Sequence, residues 1–426
     1  MSNIAFIDEV EITNKKVLLR ADLNVSLRAD ATIADDARIR QSLPTINYLL
    51  KNNNTLIIIS HLGRPKGKDP KFSLKPVVDR LQSYLPDYKV VLIEDFSSGV
   101  ILGRSETTTP ESLLKNYDSG QVLRQAQDIA GMTNKTIYVL ENIRFFPQEK
   151  KNDVEFAKKL ANLADIFVQD GFGVCHRKDA SVVGINQFLP SYGGLLLKKE
   201  IKMLSKVIES PQRPVVAIIG GAKITTKIDL LNKLLDIAEC FIIGGGLANT
   251  FIRAKNYEIG NSLCEEEGVE SAKKILLKAE IKSKYVILPS DVVVGNKDDD
   301  KDGGQVFKIS QVPGDANILD IGPETQAKIG AIIAQAKTII WNGPVGYFEN
   351  PNFRRGTDFI YYSISQNGQA ISVVGGGDTL AAISKKEYLD KITHISTGGG
   401  AMLEFIEKGT LPGIEALKHE EIELLP

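Results

Sequence analysis

TLIIISHLGRPKG, residues 55–67, sets a run of apolar β-formers directly against a histidine, an arginine and a lysine. Leu56–Ile59 have the composition of a strand buried on both faces. A strand end that needed only a turn would use Asn, Asp, Gly or Ser. Here His61, Arg64 and Lys66 gather around Gly63 instead. The same coupling of buried run to chemistry recurs along the chain, and it decides the fold.

Further runs of this kind are KVLLR, KVVLI, TIYVL, DIFVQ, PVVAIIG, CFIIGG, YVILP, TIIWNG, AISVVGG and THISTGG. Between them lie stretches such as DVEFAKKLANLA and TTKIDLLNKLLDIA, apolar at three- and four-residue spacing, which predict helices. Strands alternating with helices make βαβ units, so the expected class is α/β with mainly parallel sheets covered on both faces. Such sheets bind ligands at the C-terminal ends of their strands. In the first half those ends read RADLNV, SHLGRP, EDFSS, ENIRFF and QDGFGVCHR, basic and rich in donors; in the second half they read GGAK, GGGLANT, NGPVG, GGGDT and TGGGAM. Two sheets with two ligand chemistries are expected. The seam falls near residues 187–200, where LLLKKEIKMLSKVIES predicts one linking helix ended by Pro211.

With 426 residues the chain is too long for one ordinary core. The net charge of −1 gives no global attraction to nucleic acid, so an anion site has to be a local cluster. No signal peptide opens the chain, and no apolar run reaches the ~20 residues of a bilayer span. Cys175, Cys240 and Cys264 form no CxxC pair, which excludes a zinc site or disulfide framework. The expected location is cytoplasmic, with no nucleic-acid and no membrane partner.

One arginine alone is most simply a solvated surface residue. Arg20, Arg38, Arg64, Arg144 and Arg177, all at or near strand ends of one half and joined by His61 and His176, predict a grip on a small, highly anionic substrate. Asp22 and Asn24 would meet its hydroxyl groups. GGGLAN and GGGDT lack GxGxxG spacing, and GGAKITTK lacks that of a phosphate loop. Asp378 and Thr379 follow three glycines where a helix should begin, a place for phosphate and Mg²⁺. Lys223 and Lys227, four apart, would share a face of any helix they start. KDDDKDGG has EF-hand spacing but ends on Ile309 rather than Glu, and reads as a solvated loop.

RADLNV, SHLGRP, LENIRF, FGVCHR, GGAKITTK, WNGPVGYFE, GGGDT and STGGGA, in this order from Arg20 to Ala401, resemble the phosphoglycerate kinase family. The resemblance implies two Rossmann-like three-layer αβα domains joined by a hinge helix. Residues 1–188, completed by 408–426, would bind 3-phosphoglycerate, and 189–407 would bind magnesium–ATP or –ADP. It implies substrate roles for Arg20, Asp22, Asn24, Arg38, His61, Leu62, Gly63, Arg64, Arg144 and Arg177. Arg38, Lys223 and Lys227 would be catalytic. Lys227, Gly246, Asn342, Glu349, Gly375, Gly376, Gly377, Asp378 and Thr379 would hold the nucleotide, with Glu349 on the ribose and Asp378 on the metal. The implied protein is a glycolytic, hinge-bending monomer. The chain departs from the family pattern at Gly171, where alanine is usual, at Thr226, where an acid is common, and in a longer stretch at 97–135.

Overall fold

The computed structural model describes residues 4–94, 135–295, 304–383 and 386–418. Most of the 97–135 excursion, the acidic loop up to Gly303 and the tail beyond Lys418 lie outside the described residues. The chain divides into two compact units, Met1–Glu200 with Thr410–Pro426, and Ile201–Gly409. The division falls inside the linking helix, Leu195–Glu209. Its first turn is tied to the first unit: Leu196 N–H donates to Asp170 at 2.9 Å and Leu195 N–H to Thr45 at 3.1 Å.

The first unit contains β1 (Lys16–Arg20), β2 (Ser26–Leu27), β3 (Ile33–Asp35), β4 (Thr55–Ile59), β5 (Lys89–Ile93), β6 (Thr136–Leu140), β7 (Ile166–Gln169) and β8 (Ser191–Gly193). Six of these form one parallel sheet in the order β5-β6-β4-β1-β7-β8, and β2 pairs with β3 in an antiparallel ribbon. Period-two alternation explains why the strands are apolar throughout. Val17, Leu19, Leu56 and Ile58 enter one core with Ile39, Ile46 and Leu49 of the helix Ala37–Lys51. Leu18, Ile57 and Ile59 enter the opposite core with Phe156 and Leu160 of the helix Val154–Ala161. From β1 the chain steps to β4 on one side and, after β6, returns to β7 on the other. Ligands bind at such reversals in open α/β sheets.

Residues 410–418 return to this unit. Leu411, Ile414 and Leu417 are buried, Gly413 N–H donates to Cys175 O at 2.8 Å, and Lys418 bridges antiparallel to Ile4. The helical part of this segment is one turn, Pro412–Glu415.

The second unit contains β9 (Val215–Ile219), β10 (Cys240–Ile243), β11 (Tyr285–Ile287), β12 (Asp291–Gly295), β13 (Gln305–Lys308), β14 (Asn317–Ile321), β15 (Thr338–Asn342), β16 (Ile371–Gly375) and β17 (His394–Ser396). The parallel sheet runs β11-β10-β9-β15-β16-β17, so its reversal lies between β9 and β15. A separate antiparallel sheet, β13-β12-β14, is absent from the sequence reading. Its strands escape because DVVVG follows YVILP almost without a break and QVFK is largely exposed. The three-residue β8 escapes for its shortness.

Candidate active site

The loops after β1, β4, β6 and β7 converge on a cavity of about 160 Å³ lined by Asp22, Asn24, Arg38, His61, Gly63, Arg64, Arg144, Gly173, Val174 and Arg177. Four arginines face one small volume. The Arg38 guanidinium donates to Asp22 Oδ2. Burial, the largest single influence, opposes charge on Asp22, but Arg38, His61, Arg20 and the Asn24 N–H together outweigh it and lower the carboxyl to about 2. His61, 3 % exposed, is held well below the ordinary imidazole range by burial; Asp22 opposes this, and Arg20, Arg144 and Arg38 add to it. It is therefore neutral near pH 7. Arg144 is lowered to about 10 by burial and by Arg177 and Arg20. The buried Nε of Arg177 has no hydrogen-bond partner among the described residues. Crowded cations and an orphaned donor are the electrostatics of an anion site.

The β4 loop explains its own sequence. Gly63 has φ +61°, and a Cβ there would stand 2.4 Å from the Phe72 ring. Its N–H donates to Asn24 at 2.8 Å and its carbonyl accepts from Arg144 at 2.7 Å. Buried Asn142 ties Leu62 O and Phe72 O together, at 2.7 and 2.9 Å. Leu62 is a buried packing residue and does not line the cavity. Arg20 does not line it either: at 1 % exposed it lies behind the wall. His176 is likewise not a lining residue.

In the second unit the loops after β9, β10, β15 and β16 surround a cleft of about 200 Å³. Gly221, Ala222, Gly245, Gly246, Leu263, Pro289, Pro344, Val345, Tyr347 and Phe348 give it largely backbone and apolar walls, while Glu349 and Asp378 bring carboxylates. Lys227 donates to Gly220 O and, at 3.0 Å, to Asn342 Oδ1. Burial lowers this ammonium to about 8, against the pull of Asp378. Asn342 in turn donates to Gly375 O at 2.7 Å, and Thr379 Oγ accepts from Gly343 N–H at 2.8 Å. Gly376, at φ +115°, lets these groups approach, since a Cβ there would meet Asn342 Nδ2 at 2.6 Å. Gly375 packs against Met402, and Gly376, Gly377, Thr379 and Asn342 frame the cleft without lining it.

Lys223 and Lys227 do not share a helix face, because the helix begins only at Ile228. Glu265 holds the preceding turn through Thr225 N–H, and Ile224 is buried. Lys227 thus points inward while Lys223 is exposed. Asn317–Ile321, which also line the cleft, escape the sequence reading because β14 does.

An arginine-lined cavity on one unit and, on the other, a glycine-walled cleft with carboxylates and a nearby buried ammonium are features of the small-molecule kinase class. The family model for phosphoglycerate kinase matches residues 7–409. The phosphoglycerate kinase of Koribacter versatilis is 43 % identical over 97 % of this chain and 99 % of its own length, and that of Chloroflexus aurantiacus 42 % over 97 % and 99 %. Among solved structures, the phosphoglycerate kinase from Coxiella burnetii matches with a TM-score of 0.81 at 37 % identity, over 97 % of this chain and 98 % of that one. The one from Pyrococcus horikoshii matches with 0.78 at 29 %, over the same shares. The chain belongs to the phosphoglycerate kinase family, enzymes of ATP-dependent phosphoryl transfer with 3-phosphoglycerate in glycolysis.

Proposed function

We propose that the first unit, Met1–Glu200 with Thr410–Pro426, is the 3-phosphoglycerate domain and the second, Ile201–Gly409, the nucleotide domain, so that the expected seams at 188/189 and 407/408 move because β8 pairs with β7. The observation that carries this is the anion cavity, where burial and then Arg177 and Arg20 depress Arg144, and Arg177 Nε has no partner among the described residues. Arg64, Arg144 and Arg177 grip the substrate's phosphate through paired donors. Asp22, ionised and fixed by Arg38, accepts from the substrate hydroxyl alongside Asn24.

The nucleophile is the substrate's own carboxylate, already ionised near pH 7, so no base has to remove a proton. Arg38, with its remaining N–H groups free of Asp22, and Lys223 and Lys227 stabilise charge on the moving phosphoryl group. Glu349 accepts from the ribose, and the glycine walls admit the base. Asp378, an exposed carboxylate on the cleft, fits magnesium, which takes one or two carboxylates and keeps several waters. Among the described residues no cluster of three or more His, Cys, Asp or Glu could form an all-protein cage. Bound there, magnesium would neutralise phosphate oxygens. Hinge-bending belongs to the same reading, since water competes as acceptor unless the reacting groups are shielded. So does a monomer working in the cytoplasm; no helix among the described residues is long and apolar enough to cross a membrane.

A coupled assay tests the reading. Turnover should require ATP, 3-phosphoglycerate and magnesium together. Asp378→Ala should lose most activity with its circular dichroism unchanged, and near-wild-type turnover in that variant would remove Asp378 from the site.

A further inference from the structure

Behind the anion cavity lies a series of buried groups that the transfer itself does not use. Glu149, in the one-turn helix Pro147–Lys150, is 0 % exposed. Its Oε1 accepts the Ser181 hydroxyl at 2.6 Å and its Oε2 the Ser181 N–H at 2.9 Å. Ser181 Oγ accepts Nε–H of Arg20 at 2.9 Å. Arg20 also donates to Ala21 O at 2.6 Å, and its other terminal nitrogen reaches His61 Nδ1 at 3.4 Å. His61 is the first member of the series on the cavity wall.

The directions follow from Arg20, because the other group facing His61 Nδ1, Asp22 Oδ1 at 3.9 Å, is beyond hydrogen-bond reach. A guanidinium only donates, so Ser181 Oγ and His61 Nδ1 both accept. The single hydroxyl proton of Ser181 then has to go to Glu149, both of whose oxygens accept from Ser181. A neutral imidazole that accepts at Nδ1 carries its proton on Nε2. Charge follows the same line. Burial raises the Glu149 carboxyl; Arg20 and the Ser181 bonds oppose the rise, and Asp179 adds to it. Ser181 thus links Glu149 to Arg20 outside the cavity.

We propose that Glu149 and Ser181 are positioning residues for the substrate: acting through Arg20 as one relay, they fix His61 as the neutral, Nε2-protonated tautomer, a hydrogen-bond donor to an anionic ligand's oxygen. This rests on the first unit being the 3-phosphoglycerate site. In E149Q the amide NH₂ would donate to Ser181 Oγ and turn the hydroxyl proton toward Arg20, donor against donor. In S181A the acceptor for Arg20 is gone.

The experiment pairs imidazole ¹⁵N–¹H correlation spectra of the ligand-free full-length enzyme with steady-state kinetics. Four histidines, with H61N as the assignment control, make the ring signals tractable. The wild-type His61 should show an unprotonated Nδ1 and a protonated Nε2, and E149Q and S181A should show mixed tautomers. The KM for 3-phosphoglycerate should rise about tenfold in each, the size of one lost buried hydrogen bond, with the KM for ATP unchanged. The double variant should be no worse than the poorer single. S181A, which removes one heavy atom, carries the test if E149Q does not fold. Unchanged His61 signals in folded variants, or equal rises in both KM values, overturn the relay. Absence of any His61 shift on adding 3-phosphoglycerate to the wild type overturns the substrate assignment instead, because the tautomer is read without ligand.

Discussion

Arg38 and Arg177 share one cavity in opposite states, the first already bonded to Asp22 and the second with a buried donor unmet. Placed on the transferring group, Arg38 should matter chiefly in the transition state. Arg38→Ala should lower kcat at least a hundredfold, a cautious floor below the ~10³–10⁵ seen for arginines on transferring phosphoryl groups. Arg38→Lys should recover only part, since it keeps the charge and loses the fork. Arg177→Ala should mainly raise the KM for 3-phosphoglycerate, and the reverse pattern in steady-state kinetics would exchange the two roles. Lys227 sets a pH limit. Its ammonium is lowered to about 8, so it is charged below that pH and neutral above it. The kcat/KM for ATP, which reports the free enzyme, should therefore fall as pH rises through about 8, and Lys227→Arg should abolish that limb. These residues were legible from type and position at strand ends. The states of Arg38, Arg177 and Lys227 were not, because burial and neighbouring charge set them.

At the scale of elements, the loop after β4 is a rigid part rather than a flexible connection. Gly63 adopts a left-handed conformation against the Phe72 ring while its N–H and carbonyl fix Asn24 and Arg144. Gly63→Ala adds both strain and a clash, and should cost about 1–3 kcal/mol in urea unfolding. It should also raise the KM for 3-phosphoglycerate, because Asn24 and Arg144 would move with the loop. A variant as stable as wild type with an unchanged KM would show the loop to be more pliant than this geometry requires. The sequence reading placed His61 and Arg64 on this loop but left its shape open. Phe72 and Asn142, which set that shape, lie several residues to dozens of residues away.

Each unit carries a buried aspartate that is an unusually weak acid. Burial raises Asp170 to about 7 against bonds from Thr45, Leu197 and Leu196, and raises Asp320 to about 7 against the N–H groups of Gly356 and Ile321. A carboxyl raised on folding stabilises fully below its unfolded value of 3.8, and that stability is lost as pH climbs through the folded value. Both units should therefore lose stability between about pH 4 and pH 7, by an amount on the order of 1–4 kcal/mol per carboxyl. Asp22 acts in the other window: lowered to about 2, it stabilises above 3.8 and stops doing so only as the pH falls through about 2. Calorimetry across pH 4–8 checks this. Asp170→Asn should flatten the slope of the first unit only and Asp320→Asn that of the second, whatever the constant cost of each amide. An unaltered slope in either variant would assign the effect elsewhere.

Sequence alone determined the α/β class and the two kinds of strand end, basic in one half and glycine-rich in the other, because burial on both faces forces uninterrupted apolar runs that mark where each strand stops. It determined the linking helix for the same reason of periodicity. Tertiary structure alone decided which strands are neighbours, that β12–β14 form a third sheet, and that Lys227 turns inward while Lys223 does not. It also decided that Arg20 stands behind the cavity, bonded to Ser181, which in turn bonds a glutamate 129 positions from Arg20 that reads in the sequence as one more solvated charge. Local periodicity encodes which face of an element is buried; contacts between distant segments, which no local pattern records, decide what each buried polar group has to satisfy.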